Sequence, residues 1–400
     1  MKISVLKKYK ISSIAGAFFF FLLLGSVVTF AQKTSKKVDS TDESTKHVKV
    51  FYEDGKYGGW PANGGMWNWG NEILVGYTVA DHKDKKSHTY DVKSSIAKFS
   101  RSLDGGKTWT MEDAYQNGIT EATWEHNIEG GTKGRELTEK IDFTRSNFAL
   151  TFRMRHTTKN GTSFYYTYDR GKTWQGPFEL KVNFPGRNPI GIVSRTDYIV
   201  DGKYEMTAFI TVAFKDEKTD WREVACVRSK DGGITWEFLS WIGPEKVNSI
   251  MPSSLRLGPN KLITIIRRTK PAEMVSYISE DNGKTWNQAN DPVKVDFNGH
   301  PPALVKLKDG RLCMVYGIRQ EKTMANGIGM YITYSSDEGK SWDKPELFRG
   351  NDGANWDIGY PRAVVLPDGK VVTTYYYNNA SDGNKYRYIA ASILTPKKSK

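Results

Sequence analysis

The sequence predicts an all-β chain folded as a six-bladed β-propeller of four-stranded antiparallel blades. Three observations carry that expectation: an eight-residue phrase that returns five times, Asp-Gly hairpins between β-branched runs, and X-Pro pairs at matching places in successive units. The phrase occurs at Ser102–Trp109 (SLDGGKTW), Thr167–Trp174 (TYDRGKTW), Ser229–Trp236 (SKDGGITW), Ser279–Trp286 (SEDNGKTW) and Ser335–Trp342 (SSDEGKSW). Its aspartates are 65, 62, 50 and 56 residues apart, the length of one four-stranded unit. Each Asp is suited to accept hydrogen bonds from its own turn, the Gly to take a positive φ, and the Trp to open the next strand and fill the gap between units. The phrase therefore reads as a folding device and not as an active site.

Six units follow in order, centred on residues 60–115, 140–180, 188–242, 250–292, 300–348 and 360–396. Their inner hairpins are legible. Ala303–Leu307 turns at Asp309-Gly310 into Leu312–Tyr316, and Ala363–Leu366 turns at Asp368-Gly369 into Val371–Tyr375. Ser254–Leu257 turns at Gly258-Pro259-Asn260 into Leu262–Ile266. The last unit lacks the phrase. His47–Tyr52 is expected to supply its outer strand and close the ring, which would protect edges that a linear array leaves open. A seven-blade count, with 115–140 as a degenerate blade, is the alternative.

The ends read differently. Lys2, Lys7, Lys8 and Lys10, the apolar run Ala15–Leu24 and Thr29–Ala31 form a secretory signal over 1–31. Residues 32–46 read as a polar linker, 47–396 as the propeller and 397–400 as a basic tail. The chain is thus expected to be exported, to periplasm or medium, with no membrane attachment after cleavage, and to be a monomer. Cys226 and Cys313 fall in strands of different units and read as buried free thiols; no Cys/His spacing suits a metal, and no cofactor is implied.

The formal charge is +13. Removing the leader's four lysines leaves about +9, which favours an acidic partner. The basic residues are dispersed and no nucleic-acid module is present, so an acidic oligo- or polysaccharide is expected rather than nucleic acid.

In a propeller, chemistry sits over the central channel, at the starts of innermost strands and the ends of second strands. The starts carry Trp60, Arg187, Met251, His300 and Tyr360 beside or near prolines. The ends carry Tyr77, Arg153–His156, Arg267-Arg268, Arg319 and Tyr375–Tyr377. Arginine clamps carboxylates or sulfates through paired hydrogen bonds, and aromatic rings stack on sugars. Trp60, Arg155, Arg267, Arg319 and Tyr376 are the candidate substrate contacts; His300 and Tyr360 are candidate proton-transfer residues. The loop Asp81–Asp91 adds His88 as a third catalytic candidate, and Trp124–Asn127 adds His126.

The repeated phrase resembles the Asp-box of the sialidase superfamily, over the whole mature chain. That resemblance implies a propeller, three carboxylate-binding arginines, a tyrosine nucleophile with a glutamate beside it, and a loop aspartate as general acid. Here the first-blade arginine is absent: its place reads Gly59-Trp60-Pro61. Arg267 or Arg268, with Arg319, matches two arginines. Tyr375 or Tyr376 matches the nucleophile, Asp81, Asp84 or Asp91 the acid, and Glu217 or Glu223 the glutamate. The chain is also similar to exported propeller enzymes of uronic-acid polysaccharides. Because no paired carboxylates stand at the inner-strand ends, the sequence leans toward elimination, by a lyase or sugar dehydratase using His/Tyr proton transfer and Arg carboxylate binding. A sialidase-like exo-glycosidase and a non-catalytic glycan-binding propeller are the alternatives.

Overall fold

In the computed structural model the described residues are 45–85, 88–120, 133–153, 162–193, 195–269, 271–295, 300–319, 327–350, 352–353, 356–379 and 386–397. The expected leader, nearly all of the expected linker, Arg155, His156 and His126 lie outside them. Residues 41–400 form one compact unit.

That unit is a six-bladed propeller, as the sequence predicts, and not a seven-bladed one. There are six antiparallel sheets. The fourth blade shows the pattern plainly: Ser249–Arg256, Leu262–Thr269, Ala272–Ser279 and Asn287–Gln288, from the inside out. The second blade has three strands among the described residues, Ala149–Arg153, Ser163–Thr167 and Gln175–Glu179, with Arg135 bridging Phe178 on the outer edge. The last blade is closed by Thr45–Phe51, which pairs antiparallel with Tyr388–Leu394. The closing strand begins at Thr45, so the expected linker gives up its last two residues to the sheet.

Six apolar clusters fill the six junctions between blades. Leu74 and Phe99 meet Ala149 and Tyr165 between the first two blades. Val372, Tyr376 and Ile389 meet Tyr57, Ile73 and Val75 where the last blade returns to the first. Within Leu262–Thr269, Leu262 and Ile266 face the third blade while Ile263 and Ile265 face the fifth. Strand alternation thus sends successive side chains into opposite junctions, so these strands read as continuous apolar runs. Cys226 and Cys313 are buried and free, in separate junctions.

In the first five blades the third strand ends on the Ser or Thr that opens a box. In the fourth box Ser279 Oγ and Thr285 Oγ1 donate to Asp281 at 2.8 and 2.6 Å, and the amides of Lys284 and Thr285 donate to it at 3.1 and 2.9 Å. The box glycines have φ between 79° and 90°. They also allow close approach to the preceding blade: a Cβ on Gly283 would sit 2.8 Å from Cys226 Sγ, and one on Gly339 2.5 Å from Ile263 Cδ1. The boxes therefore fix blade to blade.

Candidate active site

A backbone irregularity builds the site. The innermost strands of the first, fourth and sixth blades are interrupted at an X-Pro pair. Residues Trp60, Met251 and Tyr360, each just before proline, have φ of 56°, 57° and 54°. The register slips between Ile250 and Ser253 and between Gly359 and Arg362; in the first blade a helical turn, Pro61–Gly64, separates Lys56–Gly59 from Met66–Trp69. Proline steers the preceding residue away from the right-handed helical region, and a left-handed residue costs about 1–3 kcal/mol. All three side chains enter one buried cluster together with Tyr57 and Tyr376. Strain repeated at three matching places marks a site held in position by its surroundings.

Tyr360 is the centre of the cluster. Arg267 Nη1 donates to its hydroxyl at 2.9 Å. The guanidinium groups of Arg195, Arg267 and Arg319 lie 5.2, 5.5 and 5.1 Å from its ring centroid. Burial pushes its ionisation up, but Arg267, Arg319 and Arg195 outweigh burial and hold it below the usual phenol value.

A second chain of hydrogen bonds starts at Arg319. Its Nη2 donates to Tyr376 Oη at 2.7 Å, and its Nε to the Ile358 carbonyl at 3.0 Å. Tyr376 Oη donates to Asp357 Oδ1 at 2.7 Å. Burial drives the Tyr376 phenol well above its ordinary value. Asp357 is 1% exposed. Burial alone would raise its pKa, but His88, Arg319 and Arg387 hold it well below the usual carboxylate range. His88 Nδ1 stands 3.0 Å from Asp357 Oδ1, the His88 amide donates to Oδ2 at 3.2 Å, and Arg387 Nε lies 3.3 Å from Oδ2. The imidazole meets Trp60 edge-on with ring centroids 5.5 Å apart.

Of the sequence candidates, the structure brings together Trp60, His88, Arg267, Arg319, Tyr360 and Tyr376. Strand alternation settles two ambiguities. Arg268 points away to Glu273 and Tyr277, and Tyr375 to Ser392 and Arg349. His300 is placed differently from the expectation of a group titrating near neutrality. It is 2% exposed, packed where Gly317 and Gly359 leave room, and neither ring nitrogen has a hydrogen-bond partner among the described residues. Burial first, then Arg319 and Arg267, hold its pKa well below 6.5, so it is neutral.

Asp81, Asp84 and Asp91 engage Lys56, His82 and the Lys93 amide within or beside their own loop. Glu223 is gripped by Arg187 at 2.7 and 2.9 Å and by Trp221, and Glu217 is exposed. The carboxylate in the cluster is instead Asp357. Arg195, Asp357 and Arg387 were not singled out from the sequence. Arg195 lies in the gap between Gly191–Ile192 and Tyr198–Val200, a break in an innermost strand like the three that carry proline, but without one. Arg153, two residues before the proposed Arg155, is the described basic residue at its strand end, fully buried.

Residues 145–373 match the BNR repeat-like domain family, and the chain belongs to that family. It is similar to a sialidase of Clostridium perfringens, 27% identical over 199 residues, which are 46% of this chain and 50% of that protein. The chain thus aligns with about half the length of this curated relative. Among solved structures it is similar to a protein of unknown function from Dyadobacter fermentans, at TM-score 0.65 and 20% identity, covering 88% of this chain and 100% of the other. It is also similar to a Hadza microbial sialidase, at TM-score 0.57 and 17% identity, covering 85% and 66%. These two likenesses show the fold.

Proposed function

We propose that this protein is an exported exo-glycosidase of the sialidase type, hydrolysing the bond to a terminal sugar that bears a carboxylate. One observation carries the reading. Arg195, Arg267 and Arg319 converge on a single tyrosine, and Arg387 joins them through Asp357. These arginines are buried, and guanidinium groups gathered about one point suit a carboxylate, which they bind through paired hydrogen bonds. Arg195, Arg267 and Arg319 would hold the substrate carboxylate; Arg195 takes up the part that the missing first-blade arginine leaves vacant.

Tyr360 is then the nucleophile. A phenolate delocalises its charge and suits attack at an anomeric carbon that carries a carboxylate, where an anionic Asp or Glu would be repelled. Trp60 and Met251 would give the sugar an apolar floor. Hydrolysis is preferred to the elimination that the sequence suggested because the named relatives of known type are sialidases. Export rests on the Lys-rich, apolar leader over 1–31.

Elimination from a uronic acid is the second reading. It is favoured by the lack of a second carboxylate in the cluster among the described residues, with Tyr360 then acting as base. The test uses fluorogenic α-sialoside and β-glucuronide probes and an unsaturated-product assay. Fluorophore and reducing-sugar release from an acidic glycoside, lost in Arg319→Ala, is the expected result. An ultraviolet-absorbing unsaturated product would shift the assignment to elimination. Equal turnover of acidic and neutral glycosides would remove the carboxylate clamp.

A further inference from the structure

The structure assigns proton delivery to His88: its Nε2 serves the departing glycosidic oxygen, while Asp357 positions the ring by holding Nδ1. This inference rests on the glycosidase reading above and names a residue that the reading leaves open.

The assignment follows by elimination among the titratable groups of the cluster. Asp357 is 1% exposed and remains an anion, so it has no proton to give. Tyr376 is fully buried, its hydroxyl is already donated to Asp357, and burial makes it hold its proton. Tyr360 carries the nucleophilic oxygen, turned toward Arg267. His300 is neutral and enclosed. His88 alone of these has an accessible side chain, at 36% exposure.

Its geometry is that of a positioned acid–base group. Asp357 meets it at two points: Oδ1 lies 3.0 Å from Nδ1 as an ion-pair contact, and Oδ2 accepts the backbone amide at 3.2 Å. The residue takes φ of 49°, in the left-handed region that few residues other than glycine visit, and the Oδ2 bond to its amide fixes the backbone there. Trp60 meets the ring edge-on and limits its rotation. With Nδ1 turned to the carboxylate, Nε2 is the nitrogen left for substrate. The orienting carboxylate is itself tied through Tyr376 to Arg319, so the carboxylate clamp and the proton donor share one hydrogen-bond chain.

The step balances. The glycosidic carbon–oxygen bond breaks, its electron pair stays on the leaving oxygen, and that oxygen takes the proton from the His88 imidazolium. The Tyr360 phenolate forms the new bond to the anomeric carbon. In the second half, water attacks that carbon, neutral His88 takes the water's proton, and Tyr360 leaves as phenolate. The enzyme returns to its starting state.

Two readouts test the assignment. The first compares His88→Gln and Asp357→Asn with the unaltered protein on two sialosides, one with an activated aryl leaving group and one with an alkyl alcohol. Loss of a general acid costs about a hundred- to ten-thousandfold on the alkyl sialoside. The loss on the aryl sialoside should be smaller by at least tenfold, because that leaving group departs without a proton. Equal losses on both would overturn the assignment. The second readout is the imidazole nitrogen spectrum of free protein. Neutral His88 should show the Nδ1–H tautomer, and Asp357→Asn should mix the tautomers; a mixed spectrum in the unaltered protein overturns it also. If the unaltered protein leaves both sialosides intact, proton delivery to them is refuted. A fixed Nδ1–H tautomer in that preparation then places the failure in the substrate reading and not in the dyad.

Discussion

Tyr360 and Tyr376 lie with ring centroids 5.8 Å apart, and their surroundings push their ionisation in opposite directions. Both are deeply buried. The difference is the surrounding charge. Arg267, Arg319 and Arg195 surround Tyr360 and favour its phenolate against burial; Tyr376 accepts from Arg319 but also donates to the Asp357 carboxylate, which adds to burial in favouring the phenol. Neighbouring groups with opposed shifts mark a division of roles.

The pair gives a spectroscopic prediction. In an ultraviolet pH titration, one tyrosinate should appear below the ordinary tyrosine value of about 10. Tyr360→Phe should abolish that step and lower kcat by on the order of a thousandfold or more, as removing a nucleophile does. Tyr376→Phe should leave the early step in place. An early step that survives in Tyr360→Phe would assign the phenolate to another residue.

The boxes give a prediction of the opposite kind. Asp281→Ala strands the amides of Lys284 and Thr285 and the hydroxyls of Ser279 and Thr285. It should destabilise the protein by about 1–3 kcal/mol, with activity per folded molecule almost unchanged. These contacts also hold the Asp281 carboxyl down to about 2, against the burial that would raise it. A depressed carboxylate contributes stability above its unfolded value and loses it as pH falls toward 2, so the difference between Asp281→Ala and the unaltered protein should shrink in acid. Chemical denaturation at two pH values measures both. Lost activity with unchanged stability would contradict a structural role.

The sequence showed what repeats and hid what does not. Five boxes and two Asp-Gly hairpins declare the blades, because each is a local motif whose residues satisfy one another. Trp60 and Tyr360 were visible because proline marks their strand starts. A residue before proline is ordinarily extended, yet Trp60, Met251 and Tyr360 are left-handed. Only packing across the channel can impose that. Arg195 has no proline beside it, and Asp357 precedes a strand start in a segment with no pattern. Their partners are far away in sequence: Asp357 meets His88 across 269 residues. The pairing of a loop histidine with a carboxylate from the last blade exists only once the ring has closed.

Beneath the site, Asp197 gives the last prediction. It lies on the third blade and accepts from Ser254 Oγ at 2.8 Å and the Ser254 amide at 3.3 Å. Arg362 of the sixth blade reaches the carbonyls of Ala62 and Thr196 nearby. Burial pushes the Asp197 carboxyl up to about 7, against the opposing pull of Arg362 and Ser254. A carboxyl whose pKa is raised on folding contributes stability that is complete below its unfolded value. That contribution is lost as pH rises toward and through about 7, because ionising the buried group then costs folding free energy. Asp197→Asn keeps a neutral acceptor for Ser254 and cannot ionise. Its melting temperature should therefore gain on that of the unaltered protein between about pH 5 and about pH 8, by about 2 °C or more. The difference between the two melting curves isolates Asp197 from every other titrating group. A difference that does not change with pH would show that Asp197 stays ionised in the folded protein, held by Arg362 despite its burial.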